Sequence, residues 1–300
     1  MKEKLARALL RLLEAVPLPV LAFLCEGAMT LVWAVDRKHR RIARVNLRIA
    51  FPEMGDAEAR RITRKCYQRM GTSCAEFIHI PKMDERYLRE HFRIEGLEHL
   101  REAAERGNPP MVMTGHFGNW ELLSHVYGAV VAPAAFIVRP LRSPILDAIV
   151  TERRQCVGNT VIPQDASAKE VMKLLRRKVL VGILIDQNVN RYRGILVEFF
   201  SKKAYTTFGI ARLALAMRAS VHPGFIFRDP SRKFHHLLRF GPPVPIDYGA
   251  PRDGEVERLT RRCNQELEKA IREAPVQWMW FQPRWKERHG EEPDIYGVGR

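Results

Sequence analysis

An α/β fold, with a central, mostly parallel, twisted sheet flanked by helices, is predicted by three features of the sequence. Two apolar runs of strand length, Met111–Thr114 and Val179–Ile185, lack alternation, as strands buried on both faces do. Strand-like runs alternate with segments that carry helix-start signals, the order that places helices between parallel strands. No internal repeat and no low-complexity linker interrupts the 300 residues, so one continuous domain, 36–300, is expected behind a distinct segment, 1–35.

That first segment reads as a membrane anchor. Leu18 to Val35 is almost wholly apolar, broken by Glu26, and as a helix it spans about 27 Å, just enough for a hydrocarbon core. No small-residue cleavage site follows, so an uncleaved anchor is expected, spanning in preference to lying in the membrane plane, the alternative that Glu26 leaves open. Arg37, Lys38, Arg40, Arg41, Arg44 and Arg48 after the span outnumber Lys2, Lys4, Arg7 and Arg11 before it, which places the bulk of the chain on the cytoplasmic side.

From Asp36 to about Arg106 the pattern is helical and basic, with Pro52 and Pro81 as breakers; His79, His91 and His99 stand alone and are given no role. After Met111–Thr114 comes a helix, then a strand at Ala134–Val138. Ser143-Pro144 supplies an N-cap and a proline at the first turn of a helix to about Cys156. Thr160–Ile162 is a short strand, and Ser167 with Glu170 forms a capping box for a helix to about Lys178. The apolar run Val179–Ile185 ends in Asp186-Gln187-Asn188, polar residues at the carboxyl end of a strand, where open α/β sheets bind ligands. Further strands are expected at Leu196–Phe200, Val221–Phe227 and His236–Phe240, with helices at Thr207–Met217 and Val256–Arg272.

The chemistry-bearing stretch is Met111-Val112-Met113-Thr114-Gly115-His116-Phe117-Gly118-Asn119-Trp120-Glu121. Side chains five apart on one helix diverge by roughly 140°, so His116 must precede the helix for its ring to fold back toward Glu121. Imidazole titrates near neutral pH, and a carboxylate on its far nitrogen fixes the tautomer, so the pair has the form of a general base and its orienter. Arg139, directly after a strand, and Arg153 and Arg154, late in the next helix, are cations suited to stabilising an oxyanion.

The formal charge of +16 favours anionic partners. Five cysteines, at 25, 66, 74, 156 and 263, show no metal-ligand or disulfide spacing. A non-catalytic basic protein that binds membrane or nucleic acid would explain the charge but not the histidine and glutamate at a strand-to-helix junction. A metal-dependent hydrolase would lack further ligands.

His-x-x-x-x-Glu after a strand resembles the motif of the late-stage lipid A biosynthesis acyltransferases, related to the glycerolipid acyltransferases that use His-x-x-x-x-Asp. The block Arg40 to Pro52, the step Arg139-Pro140, Asp186-Gln187 with Val197-Glu198-Phe199-Phe200 and Thr206-Thr207, and Pro275-Val276-Gln277-Trp278-Met279-Trp280 with Arg284-Trp285-Lys286 resemble that family's blocks in order. Ser201 replaces a usual glycine, and Gln282-Pro283 a usual His-Arg. The resemblance implies a glycerolipid acyltransferase-like fold, His116 and Glu121 as the catalytic pair, and an oxyanion arginine at Arg153 or Arg154, with Arg154 preferred. Asp186 and Gln187 become pocket-forming, and they join Arg139, Arg153 and Asn119 as substrate-binding candidates. It also implies an inner-membrane enzyme with its catalytic part on the cytoplasmic side. The expected donor is acyl carrier protein or acyl-CoA, and the acceptor an anionic lipid, an acylated and phosphorylated glucosamine lipid. No cofactor, metal, nucleic-acid partner or covalent enzyme intermediate is expected.

Overall fold

The computed structural model describes residues 2–286, apart from 165 and 167, and residues 294–297. Helices α1 (Lys2–Ala15), α2 (Leu18–Val35), α3 (Arg37–Ala50), α4 (Asp56–His79) and α5 (Glu85–His91) lead the chain. Then come β1 (Phe92–Glu95), α6 (Leu97–Glu105), β2 (Pro110–Thr114), α7 (Trp120–Val130), β3 (Ala135–Val138), α8 (Pro144–Gln155), β4 (Thr160–Pro163), α9 (Ala168–Arg176) and β5 (Val181–Leu184). The hairpin β6 (Gly194–Phe199) and β7 (Lys202–Thr207) is followed by α10 (Gly209–Met217), β8 (Ser220–Arg228), β9 (His236–Phe240) and α11 (Arg252–Glu273).

Among the described residues seven strands form one sheet in the order β1-β9-β8-β2-β5-β3-β4, in which only the β8–β9 pair is antiparallel. Successive side chains of a strand point to opposite faces, and the two main hydrophobic clusters divide accordingly. Met111, Met113, Val181, Ile183, Phe225 and Phe227 pack with α3, α4, α10 and α11. Val112, Leu180, Ile226 and Leu238 pack with α6 and α7 on the other face. Apolar side chains on both faces explain why β2 and β5 show no alternation in the sequence.

Two strands escape the sequence reading for the same reason. β1 (Phe-Arg-Ile-Glu) is half-exposed at the sheet edge, and β7 (Lys-Lys-Ala-Tyr-Thr-Thr) is a polar hairpin arm outside the sheet. Ser143 Oγ accepts from the Leu146 amide at 3.4 Å, as its cap position predicts, whereas Ser167 of the expected capping box lies outside the described residues.

The apolar helix α2 is docked along α4. A Cβ on Gly71 would come within 2.6 Å of the Cys25 carbonyl oxygen, so glycine sets the closeness of the two helices. Glu26, the one charge in α2, accepts from Thr72 Oγ1 at 2.6 Å and pairs with Lys233 Nζ at 2.9 Å, on the loop between β8 and β9. Phe23, Leu24, Leu31 and Val35 of α2 and Leu5, Leu9 and Leu12 of α1 are left exposed.

Candidate active site

Strand register brings the central histidine to its partner. β2 and β5 are neighbouring parallel strands with Thr114 opposite Leu184, so residues two beyond each strand end, His116 and Asp186, meet across the top of the sheet. His116 Nδ1 lies 2.8 Å from Asp186 Oδ1, and Asp186 Oδ2 accepts the His116 backbone N–H and the Trp278 indole N–H, each at 2.8 Å. Burial alone would raise the Asp186 pKa, but His116 and these hydrogen bonds hold it below the usual carboxylate range. A buried carboxylate on Nδ1 places the imidazole proton there and leaves Nε2 as the acceptor. Gln187 Nε2 is 3.4 Å from that nitrogen.

The histidine loop is clamped from the far end of the chain. Phe117 forms a β-bridge with Trp278, the Gly118 amide donates to the Gln277 carbonyl at 2.8 Å, and the Met279 amide to the His116 carbonyl at 3.1 Å. Gly118 has φ +61°, and a Cβ there would lie 1.8 Å from the Ile226 carbonyl oxygen, so only glycine fits.

His116 opens onto a cavity of about 880 Å³ lined also by Trp120, Glu121, Arg139, Arg142, Arg154, Gln187, Arg193 and Met279. Among the described residues Glu121 makes no hydrogen bond to the imidazole: its carboxylate is held by Arg154 through two hydrogen bonds, Nε to Oε2 at 2.8 Å and Nη2 to Oε1 at 2.6 Å. The expected His116–Glu121 contact is replaced because parallel pairing delivers Asp186 to Nδ1, a register that the local spacing cannot reveal. Arg154 keeps one buried donor, Nη1, without a hydrogen-bond partner among the described residues.

A family model of bacterial lipid A biosynthesis acyltransferases matches residues 3–287. The chain belongs to that family. The lipid A biosynthesis lauroyltransferase of Escherichia coli (strain K12) is 26% identical over 286 residues, 95% of this chain and 91% of that one. The palmitoleoyltransferase of the same strain is 24% identical, over 93% and 89% of the two chains. A phosphatidylinositol mannoside acyltransferase of Mycolicibacterium smegmatis is 21% identical over 70% and 67%. Family membership makes the chain an acyltransferase and sets aside the non-catalytic alternative.

Two of the expected binding residues lie away from this acyltransferase's cavity. Arg153, one residue from Arg154 and so about 100° around α8, turns the other way: it donates to the Ile78 carbonyl at 3.0 Å and pairs with Glu14 of α1. Asn119 is buried and donates from Nδ2 to Glu76 Oε2 at 2.9 Å. Arg139, Asp186 and Gln187 do stand at the cavity or directly behind it.

Sequence reasoning missed three contributors. Trp278 was a family block without a role, and its indole N–H fixes Asp186. Arg284 is fully buried over the Phe199 ring, donating to the Tyr205 carbonyl and Thr206 Oγ1 at 2.6 and 2.5 Å; burial lowers its pKa to about 10 although Asp186 acts against the shift. The third is a closed centre beneath α7. Glu76 Oε1 pairs with His236 Nε2, and Oε2 with Arg228 Nη2, each at 2.7 Å. Burial would raise the Glu76 pKa, but Arg228 and His236 hold it well below the ordinary range. Nothing in the local sequence around Glu76, His236 or Arg228 signals that they meet.

Proposed function

We propose that this acyltransferase moves a fatty acyl chain from an acyl carrier protein thioester, with coenzyme A the competing donor, to a hydroxyl of a lipid A precursor. His116 Nε2 takes the hydroxyl proton while Asp186 holds Nδ1–H and stabilises the imidazolium. The acceptor oxygen bonds to the thioester carbonyl carbon, and negative charge develops on the carbonyl oxygen, where the free Nη1 of Arg154 can donate. The tetrahedral centre collapses, the carbon–sulfur bond breaks, and the imidazolium returns the proton to the departing thiolate. Glu121 fixes the Arg154 guanidinium in this reading.

The observation that carries it is the oriented imidazole on a cavity lined by four arginines and one carboxylate. Such a surface favours a phosphorylated acceptor, and the relatives named for lipid A biosynthesis agree with one. Purified enzyme, a lipid A precursor and either thioester, read by mass spectrometry, test it. One added acyl chain, formed faster from the carrier-protein thioester, is expected; no transfer to a phosphorylated glucosamine lipid rejects the acceptor, and faster transfer from coenzyme A rejects the donor.

The same proposal places the enzyme on the cytoplasmic face of the inner membrane, attached through residues 1–35. α2 is long and apolar enough to cross a bilayer, yet its close approach at Gly71 and the Thr72–Glu26 hydrogen bond hold it to α4, and the Glu26–Lys233 pair ties it to the loop between β8 and β9. That docking supports a helix lying in the membrane surface with Phe23, Leu24, Leu31 and Val35 turned into lipid. A tag on the N-terminus should then react only from the cytoplasmic side; reaction from the opposite side would restore the spanning helix.

A further inference from the structure

Trp33, in the last turn of α2, is ringed by cations. The guanidinium carbons of Arg40, Arg60 and Arg64 lie 5.3, 5.4 and 5.7 Å from its ring centroid. No carboxylate pairs with any of the three among the described residues. Their acidic neighbours are occupied: Asp36 by His39 and the Tyr67 hydroxyl, Glu58 by Arg61, and Asp56 by Arg48. Three like charges on one indole repel one another, and the attraction of a cation for the ring face offsets that only in part.

A second observation is independent of charge. Trp33 is 91% buried as a residue, and its indole Nε1–H is shut off from solvent with no acceptor among the described residues. A buried N–H left unsatisfied costs free energy that an incoming oxygen would recover. The position names the oxygen. Val32 and Val35 are exposed on the apolar side of α2, roughly 100° and 160° around the helix from the buried Trp33, and tryptophan at the end of an apolar helix followed by arginines sits at headgroup depth.

We propose that Trp33 with Arg40, Arg60 and Arg64 forms a binding site for the phosphate of an anionic glycerophospholipid headgroup. The three guanidiniums neutralise the phosphate and the indole N–H donates to one of its oxygens. Arg60 and Arg64 are long and exposed, so they swing aside to admit it. The proposal rests on the reading that α2 lies at a membrane surface, and it gives the docked helix a fixed depth and rotation there.

Calorimetric titration of the full-length chain in neutral detergent with dihexanoyl phosphatidylglycerol tests it, independently of acyl transfer or membrane insertion. Saturable binding is expected. Arg40→Gln, Arg60→Gln and Arg64→Gln together should weaken it by at least about tenfold, and Trp33→Phe, which removes the N–H together with part of the ring, by about threefold. Arg37→Gln, Lys38→Gln and Arg44→Gln together remove the same charge from the exposed side of α3 and should change it by less than about twofold. Equal weakening by the two triple variants would mean diffuse attraction and no site. Inorganic phosphate binding as tightly as the lipid would overturn the headgroup assignment, as would no saturable binding at all. If the first triple variant fails to fold, Arg60→Gln and Arg64→Gln singly carry the same comparison against Lys38→Gln.

Discussion

Among the described residues two buried carboxylates are each paired with a histidine, and they differ in access. Asp186 holds His116, whose side chain is 15% exposed and faces the cavity. Glu76 holds His236, whose side chain is 0% exposed, together with Arg228 at 3%. The pairs are chemically alike, yet one can reach a substrate and the other cannot. A histidine–carboxylate pair is therefore a statement about folding until a route to its free nitrogen is found. His116 has Nε2 open at the sheet's carboxyl edge. In the closed centre Glu76 receives His236 Nε2, and the far nitrogen, Nδ1, has no partner among the described residues.

The largest expected effect separates the two by rate. His116→Ala should leave a folded protein with kcat lower by about 10²–10⁴-fold, the usual contribution of a general base. Asp186→Asn should cost on the order of 10²-fold or more, by disturbing the tautomer, and the double variant little beyond His116→Ala alone, since the two act as one unit. Glu121→Gln should cost less than Asp186→Asn. If Glu121→Gln is the more damaging, the orienting role belongs to Glu121 in the working enzyme. His236→Ala should leave the rate of the folded fraction near that of the wild type.

The next effect separates them by stability. Glu76→Gln strands the buried Arg228 charge and should lower unfolding stability by about 3–5 kcal/mol, the penalty for breaking a buried pair. Urea unfolding measures it. A loss below about 1 kcal/mol would show that Arg228 finds another partner or water.

These two centres also mark where the sequence was legible. β2, α7, β5 and the polar residues after β5 could be read from apolar runs and helix signals, because those are local properties of the chain. His116 was found for that reason, and Asp186 was noted as a strand-end residue. That Asp186 rather than Glu121 would meet His116 depends on which strands become neighbours and in what register, with 70 residues between the partners. The closed centre joins Glu76 and His236 across 160 residues, so no motif could announce it. β1 and β7 were missed because edge and hairpin strands lack the two-sided burial that makes β5 conspicuous.

A smaller contrast lies within one helical turn. Arg154 faces the cavity and Arg153 faces α1 and α4. Arg154→Lys loses the two-pronged grip on Glu121 and should lower kcat by about 10–10²-fold at nearly constant KM. Arg153→Ala should instead lower the melting temperature while kcat stays within about threefold, because its partners, Glu14 and the Ile78 carbonyl, are structural. The reverse ranking would move the oxyanion role by one residue.

The smallest effect is a slope. Burial lowers the pKa of His236 in the folded protein, and Glu76 only partly opposes this. The unfolded chain, with histidine near 6.5, therefore binds this proton more readily than the native state as pH falls from that value. By linkage, His236 makes stability decline with falling pH across the interval between its unfolded and folded pKa values, at up to about 1.4 kcal/mol per pH unit. His236→Gln keeps a donor for Glu76 Oε1 and removes the titration. Unfolding free energies measured between pH 7.5 and pH 5 should then fall less steeply in the variant, even if the variant is less stable at pH 7.5. Asp186 and Glu76, both with depressed values, stabilise the fold above the ordinary carboxylate range and lose that contribution only as pH drops through their folded pKa values. They therefore leave the interval from pH 7.5 to 5 to the histidines. A steeper fall in His236→Gln would mean that His236 is protonated in the native state and that the closed centre is an ion triad of Glu76 with two cations, and an unchanged slope would mean that folding leaves the pKa of His236 where it is in the unfolded chain.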